Sequence, residues 1–261
     1  AILFDLAFLC RPKDATIEAS LYSTPNETID FLKKDTSPFR IFSLSYITFG
    51  SGFMNIPKTP FVETFRTLQH FLMPNLSMLF HLDTINEYAA ILVKRYYLLY
   101  SPVREFFRLG QMESWQEQYC NEILSLLNVK YIISSFSLDC NYLKQIREGR
   151  VKLYENINVM PRVRLVPKAI MLKDDETVLK TMQEVQYNPR TFTLITETEY
   201  QKTLKDIPGE VGRPVESFKG SAKILKYSAN NVEIETAGND SSFLILADNY
   251  YPGWKVYVLS L

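Results

Sequence analysis

Near the C-terminus the run Asp248-Asn249-Tyr250-Tyr251-Pro252-Gly253-Trp254 sets three aromatic rings beside two short polar side chains. Such residues suit a carbohydrate: Tyr250, Tyr251 and Trp254 would stack on the apolar side of a pyranose, and Asp248 and Asn249 would hold its hydroxyls. Arg162, directly after Pro161, is a candidate bidentate donor to a phosphate. The same residues also have a purely structural reading. Pro252 presets φ and Gly253 accepts a positive φ, so a type II turn is expected there. Trp254, Val256 and Val258 would then share the buried face of a strand, with Lys255 and Tyr257 opposite. Arg162 would pair with Glu155 or Asp248, and Arg95 in the run Lys94-Arg95-Tyr96-Tyr97 invites the same two readings. The core position for Trp254 and the structural bridge for both arginines are the preferred expectations.

Other chemistry finds little support. The two histidines, His70 and His81, form no His-x-x-x-His spacing, and Cys10, Cys120 and Cys140 form no Cys-x-x-Cys pair, so no metal site is expected. Cys120 and Cys140 read as buried free thiols rather than as a disulfide. There is no Gly-x-Ser-x-Gly elbow and no glycine-rich phosphate loop. Asp174 and Asp175 are adjacent carboxylates, but they open a helical pattern, where acidic residues complement the helix dipole. No catalytic residue and no cofactor is assigned on these grounds. Lys and Arg (29) balance Asp and Glu (29), and basic residues do not cluster with aromatic ones, which argues against a nucleic-acid partner.

The elements that would position these residues point to an α+β fold. Residues 24–35 read as a short helix capped by Thr24 or Asn26, and 39–49 as an aromatic and β-branched strand. Phe61, Phe65, Leu68 and Leu72 recur at helical spacing up to Pro74. Thr84 with Glu87 reads as a capping box for a helix that Pro102 ends, and Ser114 with Glu117 as another for a helix through Leu127. That helix runs directly into the strand pattern Val129-Lys130-Tyr131-Ile132-Ile133.

After residue 150 the pattern turns to β: two strands about Met160-Pro161, a short helix from Asp174, and a strand at 191–196. Residues 197–220 hold three glycines and two prolines and read as a long loop. Four further strands separated by turns suggest a sandwich-like end. The expected organisation is a segment 1–20, a mixed subdomain 21–150, and a β-rich subdomain 151–261. The ten apolar residues at the start and the apolar strand pattern at the finish suggest a piece of a longer protein, with residues 1–20 following a membrane helix.

Three stretches in order resemble one family. Residues 126–134 (LLNVKYIIS), 151–166 (VKLYENINVMPRVRLV) and 241–258 (SSFLILADNYYPGWKVYV) are similar to the C-terminal extracytoplasmic region of the YfhO family of bacterial membrane proteins. Residues 72–99 resemble that family's "PN…GY…RY" stretch, with Glu87 where glycine is expected, and 259–261 depart from its "DG" turn. The resemblance implies a polytopic protein related to the C superfamily of membrane glycosyltransferases. Its catalytic acid would lie among membrane helices outside this chain. The chain would then be a non-catalytic domain on the extracytoplasmic face of the cell membrane. Its partners would be the membrane helices of its own full-length protein and an envelope glycan or lipid-linked sugar, with lipoteichoic acid one such acceptor. A free-standing carbohydrate-binding or adhesion module is the alternative, and a hydrolase using His81 or a carboxylate is a third reading.

Overall fold

The computed structural model describes residues 18–45, 61–72, 75–86, 93–110, 112–184, 187–203, 218–250 and 253–259. Within them the fold is α+β. Two short helices, α1 (Ala19–Ser23) and α2 (Glu27–Leu32), precede strand β1 (Arg40–Leu44). Asn26 is the cap of α2: its side chain accepts from the amides of Thr28 and Ile29, both at 3.0 Å, satisfying two donors that the first helical turn leaves open. Helix α3 (Phe61–His70) and a 3-10 turn (Leu76–Phe80) follow.

Helix α4 spans Lys94–Leu109 with Pro102 inside it, so proline does not end this helix as its sequence position suggests. Val103 and Phe107, one and five residues beyond Pro102, are both buried in the core, and that packing outweighs the local cost of the missing amide bond. The capping box expected at Thr84 and Glu87 falls partly on residues outside the described ones. Thr84 itself forms an isolated parallel bridge to Ile41, and its hydroxyl accepts from the Asn86 amide at 3.1 Å. Helix α5 (Ser114–Leu126) starts at a box one residue earlier than expected, with the Gln116 side chain accepting from the Glu113 amide at 2.8 Å.

Among the described residues, β1, β2 (Val129–Ser134), β4 (Lys152–Asn156) and β3 (Leu143–Arg147) form a four-stranded sheet in that order. The β1–β2 pair is parallel and the other two pairs are antiparallel. Alternation along each strand divides the core between the two faces of the sheet. Phe42, Leu44, Ile132 and Tyr154 face α4 and α5, meeting Tyr100, Val103, Tyr119 and Ile123. Ile41, Tyr131, Ile133 and Leu153 face α2, meeting Ile29, Leu32, Phe71 and Phe80. Each fully buried side chain of this size is worth roughly 1.5–3 kcal/mol over its exposed state, so both faces are needed. Because β4 carries 152–156 into this sheet, the compositional change near 150 falls within one sheet.

Beyond β4 the strands pair in twos. Strand β5 (Val163–Val166) pairs antiparallel with β10 (Phe243–Leu246), and β6 (Lys168–Leu172) parallel with β7 (Phe192–Thr196) across helix α6 (Asp175–Met182). Asp174 caps α6 by accepting from the Thr177 amide at 2.8 Å. Helix α7 (Glu197–Thr203) occupies the start of the expected long loop; residues 204–217 lie outside the described ones. Strands β8 (Gly220–Ser228) and β9 (Asn231–Gly238) form a two-residue hairpin whose register slips by one between Ile224 and Lys226.

The expected last strand is absent as a strand. Residues 254–259 join no ladder, and Trp254 is 45% exposed and Val258 89%. With no sheet face to cover them, Val256 and Val258 stay exposed and Trp254 is only half covered, so Trp254 is not a core residue. Gly253 has φ +114°, the left-handed region expected of it at a turn.

Candidate functional site

Two of the sequence candidates meet. Arg162 precedes β5 and Asp248 follows β10. Their strands are partners, and Ala247 donates its amide to the Arg162 carbonyl at 2.9 Å, which fixes the two side chains side by side. Arg162 Nη2 lies 2.8 Å from Asp248 Oδ1. Three residues that the sequence did not single out complete the cluster. Arg40, opening β1, donates from Nη2 to Asp248 Oδ1 at 2.6 Å and from Nη1 to the Leu127 carbonyl at 2.9 Å. Tyr227 of β8 donates its hydroxyl to Asp248 Oδ2 at 2.8 Å and accepts from Arg162 Nη2 at 3.0 Å. Asp83 adds a longer contact to Arg162, 3.3 Å.

The charges of Arg40, Arg162, Asp83 and Asp248 cancel. Side-chain exposure is 7% for Arg162, 14% for Arg40 and 23% for Asp248, so the pairing is largely screened from water. Burial lowers the pKa of Arg40, with repulsion from Arg162 in the same direction; Asp248 and Asp83 oppose both. Burial raises the Tyr227 phenol, and its bond to Asp248 adds to that while Arg162 counters it. Both oxygens of Asp248 are already committed. A sugar hydroxyl reaching this carboxylate would have to displace a charged or phenolic donor, so the cluster as it stands is a bolt, with no free acid or base.

Tyr250 and Trp254 take no part in the bolt. Tyr250 is 74% exposed, Asn249 is exposed and Trp254 is half-exposed. Tyr251 lies outside the described residues. An exposed tyrosine and a half-exposed tryptophan are available for stacking on a flat apolar ligand face.

Arg95 also resolves as a bridge. On α4 it pairs with Asp175 at 2.7 Å and with Glu199 of α7. Burial alone would lower its pKa, but the hydrogen bonds to the two carboxylates raise it. This trio rims a cleft of about 140 Å³ whose floor is Leu98, Leu99, Val178 and Met182. With the arginine engaged by two carboxylates, the cleft offers an apolar floor and no unpaired reactive group.

The remaining titratable groups can be placed one by one. Among the described residues, no three His, Cys, Asp or Glu side chains converge as a metal site requires. His70 Nδ1 lies 3.2 Å from Thr28 Oγ1, and His81 is an exposed residue at the end of the 3-10 turn with φ +56°. Cys120 and Cys140 are buried free thiols. Burial pushes both thiols up, Cys140 to about 12, which disfavours thiolate chemistry.

The signals that could have disclosed Arg40 and Tyr227 are faint. Arg40 stands at the head of a buried strand, where a charge requires a partner, but nothing in the sequence says that the partner is 208 residues away. Among the described residues no helix is long and apolar enough to cross a membrane. Comparison with protein families, with curated proteins and with solved structures finds no match to this chain.

Proposed function

We propose that this chain is the extracytoplasmic domain of a YfhO-like integral membrane protein and is non-catalytic by itself. In this reading it assists glycosyl transfer from a lipid-phosphate-linked sugar to a cell-envelope glycan or teichoic-acid-type polymer. One observation carries the reading: the three stretches that resemble the family interlock through their most distinctive residues. Asn128, held at φ +61°, donates from Nδ2 to the Met160 carbonyl at 2.8 Å. Asn156 is buried and donates to Ser125 Oγ at 3.1 Å and to the Val129 carbonyl at 3.0 Å. Arg162 meets Asp248. The three resembling stretches thus meet in one structural joint, which suits a domain that presents a surface and leaves the chemistry elsewhere.

In this reading the presented surface is Tyr250 and Trp254, in the segment that follows Asp248 and Asn249. Stacking there would orient an acceptor glycan at the membrane face. Translating the coding DNA on both sides and scanning its hydropathy tests the membrane assignment. About ten or more spans upstream support it, since each needs roughly 20 apolar residues. A signal peptide and a stop codon overturn it and leave the free-standing glycan-binding module. Titrating envelope glycan fragments into the chain, with Tyr250→Ala and Trp254→Ala as controls, tests the stacking surface in either case.

A further inference from the structure

The cleft rimmed by Arg95, Asp175 and Glu199 lies where the topology leaves room for a ligand. Strands β6 and β7 are parallel and end level, Leu172 beside Thr196. Asp175 follows shortly after the end of β6, and Glu199 shortly after the end of β7. The cleft thus opens at the carboxyl ends of two parallel strands, the position at which open α/β sheets bind their ligands. In many such crevices the free amides of a helix N-terminus hold an anion. Here those amides are taken. The Thr177 amide donates to Asp174 Oδ1, and Thr196 directs its amide and its hydroxyl to Glu199 Oε2, both at 3.0 Å. An anion would meet two carboxylates instead.

The rim carries two negative charges against one positive. Arg95 Nε donates to Asp175 Oδ2 at 3.2 Å, Nη2 lies 2.7 Å from Oδ1, and Nη1 donates to Glu199 Oε1. These bonds use one lone pair on each of the three oxygens and leave acceptor capacity on all of them. Burial alone would raise the Glu199 carboxyl, but the Thr196 amide and Arg95 hold it below the usual range, so it stays charged at neutral pH. Beneath the rim Leu98, Leu99, Val178 and Leu194 are only half-buried, so the floor keeps apolar surface open to water. The space of about 140 Å³ is close to the roughly 150 Å³ of an apolar cavity that takes benzene.

We propose that this cleft binds a small organic cation, its apolar body of about six carbons on the leucine floor and its primary ammonium at the Asp175–Glu199 rim. The ammonium supplies three donors to the remaining lone pairs and brings the rim to neutrality. A neutral ligand of the same shape gains the floor alone, and an anion is repelled. The site is separate from the function proposed above, and its failure leaves that reading untouched.

The experiment is NMR of the whole chain labelled at the methionine methyls, with the Met182 signal assigned by Met182→Leu. Benzylamine, benzyl alcohol, benzoate and methylamine are added in turn at neutral pH and matched ionic strength. The expected result is a saturable Met182 shift with benzylamine and affinity about threefold to fivefold weaker for benzyl alcohol, the size expected of one partly exposed charge. Benzoate and methylamine should give no saturable shift over the same range. Glu199→Gln keeps the cap of α7, because glutamine also serves at that position, and should weaken benzylamine binding by the same about threefold to fivefold. Val178→Phe fills the cleft from α6 and should abolish the shift, while the other methionine signals report that the chain is folded. No saturable shift with benzylamine, equal affinity for benzyl alcohol, benzoate or methylamine, unchanged affinity in Glu199→Gln, or binding that survives Val178→Phe would overturn the proposal.

Discussion

Replacing Asp248 by Asn keeps the size of the side chain and removes the charge that two arginines share. Arg40 and Arg162 then face an amide, one end of which presents donors to donors, while Tyr227 loses its charged acceptor. Breaking a buried pair by removing one partner costs about 3–5 kcal/mol. Asp248 is 23% exposed and Asp83 stays near Arg162, which places the loss at the lower end, about 3 kcal/mol. A chain of 261 residues has an unfolding entropy of about 0.55 kcal/mol per kelvin, so Tm should fall by about 5 °C. Calorimetry or circular dichroism at neutral pH reads the shift. Replacing all three members together, Arg40→Met, Arg162→Met and Asp248→Leu, should recover most of it, because the charge then left without a partner, Asp83, is 60% exposed and stays hydrated. A fall of less than about 1 °C in Asp248→Asn, or no recovery in the triple variant, refutes the argument that these charges are screened and mutually dependent.

Three other outcomes follow from local geometry. Asn128→Ala should cost about 2–3 kcal/mol in denaturant melts, combining a left-handed backbone unsuited to alanine with the loss of a buried bond to Met160. Asp35 is held down to about 2 because bonds from Lys130, Ser37 and Tyr131 outweigh the effect of burial, which alone would raise it. A carboxylate with a depressed folded pKa stabilises fully above its ordinary value and loses that effect as pH falls toward 2. Asp35→Asn should therefore flatten the acid limb of a Tm-against-pH curve and leave its neutral slope alone. His70 is shifted downward by burial and then by Arg150, so its neutral form is the stabilised one. Stability should decline as pH drops below about 6.5, and His70→Gln should remove that decline in the same titration.

The main elements were legible wherever a local rule acts without competition. The cap at Asn26, the acidic opening of α6 and the buried strand after α5 each depend on neighbours a few residues apart. Pro102 misled because the rule for proline is local, whereas Val103 and Phe107 are held by a core assembled from distant strands. The expectation for Trp254 failed for the opposite reason: alternation announces a strand, but it cannot supply the neighbour that the strand needs. In the site, the Arg162–Asp248 bridge was readable as one of two pairings. Arg40, Asp83 and Tyr227 were not, since they come from 208, 79 and 65 residues away from the groups they meet.

The placement of the bolt explains why so much polarity sits at one seam. The β8–β9 hairpin is exposed over most of both faces and so gains little from apolar burial. Leu165 of β5 is what it packs on near its open end, close enough to Gly220 that a side chain there would crowd it. Apolar contact of that extent holds a hairpin near a sheet but leaves its angle loosely defined. Tyr227, reaching from β8 to both Arg162 and Asp248, adds direction, and Arg40 ties the same carboxylate to the edge strand β1 of the main sheet. Three separately paired units, the main sheet, β5–β10 and β8–β9, are thereby indexed to one carboxylate. The segment that carries Tyr250 and Trp254 leaves directly from that carboxylate, so whatever fixes Asp248 also fixes where the exposed rings begin.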